Sequence, residues 1–205
     1  MNKILKNILI LTLITLVSGI GLGAVYEVTK EPIRQAGENA KQAAYQQVIS
    51  DADSFEHYAE FDEDEAAAVL TDAGITGNTI NEVAVAKKGG ETIGYVITGT
   101  SSDGYGGDIQ LSTGILSDGT ITGIAFLSIS ETAGLGMNAE KPEFYEQFSN
   151  KQVEQFEVVK GGGSGGDNEI DALSGATITS AAVTDDVNAA LAYFQNVLEG
   201  GSGNE

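Results

Sequence analysis

Between Ile8 and Val25 the chain runs for about 18 residues without a charge, built from Ile, Leu, Val, Ala and Gly with three hydroxyls. As a helix, that length crosses the hydrocarbon core of a bilayer. The competing reading is a cleaved signal peptide. Its apolar region would span only about 7–15 residues, and Leu22-Gly23-Ala24 matches an A-x-A cleavage site poorly. With no Cys in the chain, a lipoprotein is excluded. The expectation is one uncleaved N-terminal transmembrane helix. Lys3 and Lys6 flank it on one side, Lys30 and Arg34 on the other, so charge bias barely decides its direction. The N-terminal amine tips it toward a cytoplasmic N-terminus with the rest of the chain on the outer face of the cell membrane.

A net charge of −20, from 30 acidic and 10 basic residues, argues against a general nucleic-acid binder, since there is no basic stripe to neutralise phosphates. The absence of Cys excludes thiolate iron–sulfur clusters, Cys-ligated zinc and c-type haem attachment. The single His, His57, lies in an acidic stretch with no nucleophile elbow nearby, so a solvated surface position is its ordinary reading. No metal site is expected. Any redox chemistry on this chain requires an organic cofactor.

Three segments follow: 1–26 as the cytoplasmic end and anchor, 27–75 as a helical stalk and acidic segment, and 76–205 as the main domain. In the stalk Ile33, Ala36, Ala40, Ala44 and Val48 share one helical face, with Pro32 expected to kink the helix rather than end it. Residues 50–65 read as acidic and irregular, and 65–73 as a short helix ended by Gly74. Two strand pairs then flank Gly89-Gly90 and Asp118-Gly119, both hairpin signals. A short helix near 142–150, a possible fifth strand at 156–160 and a Gly-rich linker or loop at 161–166 come next. A final helix, capped by Thr179 or Ser180, places Val183, Val187, Ala190, Leu191, Phe194 and Leu198 on one face to pack on the sheet. The fold class is α+β: a single transmembrane helix, then an antiparallel sheet packed by helices.

Three loops carry the chemistry. Asp171-Ala-Leu-Ser-Gly-Ala-Thr177 opens onto the final helix, where backbone N–H groups favour an anion. Ser130-Glu-Thr-Ala-Gly-Leu-Gly136-Met137 and Asp103-Gly-Tyr-Gly-Gly-Asp108 sit beside strands. Singly, each is an ordinary turn. Three such loops on one small sheet can line a common pocket, which favours a ligand.

Asp171-Ala-Leu-Ser-Gly-Ala-Thr177-Ile-Thr-Ser resembles the flavinylation motif of the FMN-binding domain family. Its members include the G subunit of the Rnf electron-transport complex and the C subunit of the sodium-pumping NADH:quinone reductase; the compact length favours the former. The Glu131-to-Gly136 loop is similar to the family's Glu-Thr-Pro-Gly-Leu-Gly, with Ala133 in place of Pro, and Gly104-Tyr-Gly-Gly107 to its glycine–tyrosine loop.

The resemblance implies FMN held on Thr177 by a phosphoester that a separate flavin transferase installs from FAD. It implies a redox relay working with the other membrane and peripheral subunits of an ion-translocating ferredoxin:NAD oxidoreductase, with residues 76–205 as the FMN-binding domain. Ser174, Gly175, Ala176, Glu131, Thr132, Gly134, Leu135, Gly136 and Tyr105 join Thr177 as site candidates. Met137 is a further wall of the flavin slot, amides from Ile178 to Ser180 hold the phosphate, and Asp171 aids the transferase. A non-redox membrane-anchored binding module, with loops that are only turns, is the reading from a different class.

Overall fold

The computed structural model describes residues 2–199, in two units, one ending at Lys41 and the other beginning at Gln42. The first belongs to a 46-residue helix, α1 (Lys3–Val48). Its apolar part has a mean hydropathy of 2.4 and is entirely unburied, so it is long and apolar enough to cross a membrane. Pro32 lies inside the helix, which continues past it. Beyond the apolar run, Glu27–Lys30 and Glu31–Arg34 pair one turn apart at 2.6 and 2.7 Å, as suits a solvated helix surface.

The second unit is organised by a five-stranded antiparallel sheet in which every strand lies beside its sequence neighbour. Its strands are β1 (Ser54–His57), β2 (Asn78–Lys88), β3 (Glu91–Ser101), β4 (Ile109–Leu116) and β5 (Ile121–Ser128), with α2 (Glu63–Asp72) between β1 and β2. Both hairpins form where expected. Gly89 and Gly90 turn β2 into β3 at φ values of 61° and 88°, leaving Lys88 opposite Glu91; a two-residue turn of this hand matches the twist of the strands. At the β4–β5 turn the Asp118 carboxylate accepts the Thr120 N–H at 2.9 Å, which holds its pKa below the usual carboxylate value.

Both faces of the sheet are covered. On one, Ile97, Ile109, Leu111 and Ile115 pack with Val183, Val187, Ala190 and Leu191 of the last long helix, α4 (Thr177–Tyr193). On the other, Ala84, Ala86, Val96 and Ala125 pack with Tyr45, Val48 and Ile49 at the end of α1. Two covered faces explain why the strands read as nearly continuous apolar runs instead of a clean alternation.

Two elements depart from expectation. Residues 54–57, inside the segment read as irregular, form β1 and pair with β2 from Lys87 to Ala84. The strand expected at 156–160 forms as β6 (Glu157–Val159), but it pairs in parallel with β7 (Glu169–Asp171) in a separate two-stranded sheet. Between β5 and β6 lie a short 3-10 turn (Gly136–Glu140) and α3 (Pro142–Tyr145), which lead into a cluster of Phe144, Phe148 and Phe156 rings.

Candidate cofactor site

Helix α4 begins at Thr177, two to three residues before its expected start. Ala176 is its N-cap and offers no side-chain acceptor to the first turn. Thr179 and Ser180 are therefore not caps, and both are buried. The Ser180 hydroxyl instead works backward, donating to the Ala176 carbonyl at 3.0 Å and accepting the Leu173 N–H at 2.9 Å. Its amide donates to Ala176 O at 3.0 Å. The amides left without an intrahelical acceptor are thus those of Thr177, Ile178 and Thr179, one residue earlier than the expected set.

The three Gly-rich loops do converge. They enclose a cavity of about 550 Å³ to which the first contributes Tyr105, the second Glu131, Thr132, Leu135 and Gly136, and the third Gly175, Ala176 and Thr177. Ile178 and Thr179 complete the wall. The sequence assigns only their backbone amides to the site, because a residue's place on a cavity wall depends on which way the helix turns its side chains. Two close approaches make the convergence possible. A methyl group on Gly136 would stand 2.7 Å from both Glu131 Oε2 and Thr179 Oγ1, and one on Gly106 would collide with the Ser130 carbonyl. Only glycine lets these backbones come so near.

Three candidates sit elsewhere. Ser174 lines a second cavity of about 550 Å³, which shares Gly175 and Thr177 with the first and is otherwise walled by Lys160, Gly161, Gly162 and Asp171 to Leu173. Gly134 lines neither cavity; its carbonyl accepts Asn138 Nδ2 at 2.9 Å. Met137 lines neither as well. Its Sδ accepts the Glu131 N–H at 3.4 Å, bracing the loop from behind.

The Gly-rich segment 161–166 is ordered by carboxylates. Glu169 accepts N–H groups from Ser164, Gly165 and Gly166 at 2.6, 2.9 and 3.3 Å, as well as the Ser164 hydroxyl. That hydroxyl first, and the amides after it, hold the Glu169 pKa below the usual value. Asp171 Oδ1 takes the Gly162 N–H at 2.7 Å and so ties the segment to the start of the Thr177 loop.

The first cavity suits an extended aromatic ligand with an anionic end. Its volume falls within the ordinary range for ligand pockets, about 300–1,000 Å³. Tyr105, Ile178 and Leu135 stand 71%, 55% and 43% exposed around it, an apolar surface that solvent alone does not favour. Glu131 Oε1 is buried there with no hydrogen-bond partner among the described residues. Such an acceptor calls for a donor, and the free amides of the α4 first turn call for an anion.

Residues 104–192 match the FMN-binding domain family. Along nearly its whole length the chain is 36% identical to the G subunit of the Na(+)-translocating ferredoxin:NAD(+) oxidoreductase complex of Acetobacterium woodii, covering 92% of this chain and 90% of that protein. The chain belongs to this G-subunit family. Other members are 33% identical (the proton-translocating counterpart of Clostridium ljungdahlii, 88% of this chain and 86% of that one) and 32% identical (the G subunit of an ion-translocating oxidoreductase complex of Methanosarcina acetivorans, 94% and 95%). Among solved structures, the crystal structure of Shewanella oneidensis NqrC shares the fold, with a TM-score of 0.52 at 23% identity. That match spans 60% of this G-subunit chain and 61% of NqrC, just under two thirds.

Proposed function

We propose that this chain is the membrane-anchored flavoprotein subunit of an Rnf-type ferredoxin:NAD oxidoreductase complex, relaying electrons through FMN esterified to Thr177. Its membership of the G-subunit family supports the complex, and its FMN-binding domain supports the cofactor. The observation that carries the attachment residue is local. Thr177 stands at the first position of α4 and lines both cavities, beside amides with no intrahelical acceptor.

The residues present fit FMN. The amides of Thr177, Ile178 and Thr179 would hold the phosphoryl oxygens, and Tyr105, Leu135 and Ile178 would cover the ring system from water. The unpartnered Glu131 Oε1 would accept a hydrogen bond from the bound group. FMN supplies the electron-accepting and electron-donating chemistry that a chain without Cys cannot supply itself. The protein has no turnover of its own; its partners in the complex deliver and remove the electrons.

Attachment requires a flavin transferase and FAD. The Thr177 hydroxyl oxygen bonds to the FMN phosphorus, the phosphoanhydride bond breaks, AMP leaves with the bridging oxygen, and the hydroxyl proton passes to solvent. No electrons change hands. The C subunit of a quinone reductase is the weaker alternative, because the NqrC likeness is one of fold over part of the chain, whereas similarity to the G subunits covers about nine tenths.

The test is a denaturing gel of protein made together with a flavin transferase, read by ultraviolet fluorescence. Wild type is expected to fluoresce and Thr177→Val to be dark. A fluorescent Thr177→Val band overturns the attachment residue, and a dark wild-type band overturns covalent flavin altogether.

A further inference from the structure

The second cavity holds a charge that the flavin reading leaves unused. Within the unit beginning at Gln42, Lys87, Lys88 and Lys151 each reach a carboxylate, at 2.6, 3.1 and 3.0 Å. Lys160 makes no ion pair or hydrogen bond with any described residue, although the chain carries 30 acidic side chains. It lines the cavity that contains Thr177 and Ser174, and it is the one cation among the described residues lining either cavity.

Its position is fixed by the fold. Strands β6 and β7 pair with Val159 opposite Asp171, and the Ala172 N–H continues the ladder to the Val159 carbonyl at 2.8 Å. Lys160 therefore leaves β6 alongside the start of the Thr177 loop. The only carboxylate among the cavity's described lining residues, Asp171, is engaged through Oδ1 by the Gly162 N–H. A phosphate diester keeps a negative charge at neutral pH. In a chain of net charge −20 it faces repulsion from most directions unless a cation is placed beside it.

We propose that the Lys160 ammonium is the counter-charge for the phosphate joining FMN to Thr177, a positioning residue on the polar side of the attachment point. The proposal rests on the covalent reading above. The two cavities then serve different ends of one cofactor. The apolar one takes the ring system, and the polar one brings Lys160 to the phosphate at Thr177, a residue the two cavities share, where the first-turn amides of α4 also meet it.

The experiment compares the full-length chain in detergent before and after loading by a flavin transferase with FAD. Surface lysines are pulse-acetylated and the peptides weighed. Lys141, which pairs with no carboxylate among the described residues and lines neither cavity, is the internal reference. Loading is expected to lower Lys160 acetylation several-fold while leaving Lys141 unchanged. Lys160→Glu is expected to slow covalent loading several-fold, less so at high salt, and Lys160→Arg to keep the wild-type rate. Equal acetylation of Lys160 in both forms, or wild-type loading by Lys160→Glu, overturns the proposal. A failure of the underlying reading looks different: the wild-type Thr177 peptide then carries no FMN mass at all.

Discussion

Asp186 is a carboxyl group buried on α4 against β3, with neither oxygen hydrogen-bonded among the described residues. A side chain at Gly99, on the strand beneath, would collide with Asp186 Oδ1. Burial pushes its pKa well above the ordinary 3.8. The folded state then holds a proton that the unfolded state releases. The stability this group contributes is fully present below pH 3.8 and is lost as pH rises toward the folded value. Asp186→Asn removes the titration. The variant's melting temperature is expected to gain on wild type progressively as pH rises above 3.8. Parallel curves across that range mean that Asp186 is ionised in the fold.

Asp186 was legible only as an acidic residue near a helix start, where negative charge suits the dipole. Its burial depends on Gly99 of the strand it packs against, a pairing the sequence does not display. The same blindness displaced the helix start. Thr179 and Ser180 carry hydroxyls that read as caps, and nothing in the sequence says that Ser180 turns its hydroxyl back to Leu173 and Ala176.

At the scale of elements, the apolar face of α4 was plain, and every residue assigned to it is buried. Its polar burial was hidden. Asn188 accepts the Phe156 N–H at 2.8 Å and donates to the Phe156 carbonyl at 3.0 Å, pairing a helix side chain with a strand-like backbone segment. Asn188→Ala leaves both backbone groups buried without a partner and is expected to destabilise the protein by about 2–3 kcal/mol. Chemical denaturation of the full-length chain measures this, and a loss under about 0.5 kcal/mol, the range of an ordinary surface change, rules the pairing out as a stabilising contact. Short elements left fainter marks. Only Phe55 of β1 turns inward, its ring 5.5 Å from that of Tyr45, so Ser-Phe-Glu-His shows almost no period. The Gly161–Gly166 stretch has linker composition, yet the single carboxylate of Glu169 gathers three of its amides.

For the whole molecule, the sequence separated an apolar N-terminal helix from an acidic α+β domain, and the hairpins, the sheet and the three-loop site followed from glycine placement. What it did not reveal is that residues 44–49 belong to the core, because small residues such as Ala44 and Val48 look alike on a stalk and on a sheet face. We propose that the N-terminus is cytoplasmic and the flavin domain faces outward. Protease added to cells stripped of their wall is then expected to digest the domain while an N-terminal tag stays protected. The reverse pattern places the domain inside.

Thr177 borders two cavities and, as the proposed attachment residue, is bonded to one end of its cofactor. A leash of this kind separates holding the flavin from gripping it. The ring stays at high local concentration whatever its affinity for the walls formed by Tyr105, Leu135 and Ile178. Dilution, which strips a loosely bound cofactor from an exposed domain, then has nothing to remove. Selection on those walls is free to act on the ring's potential and on its access to partners, rather than on its retention.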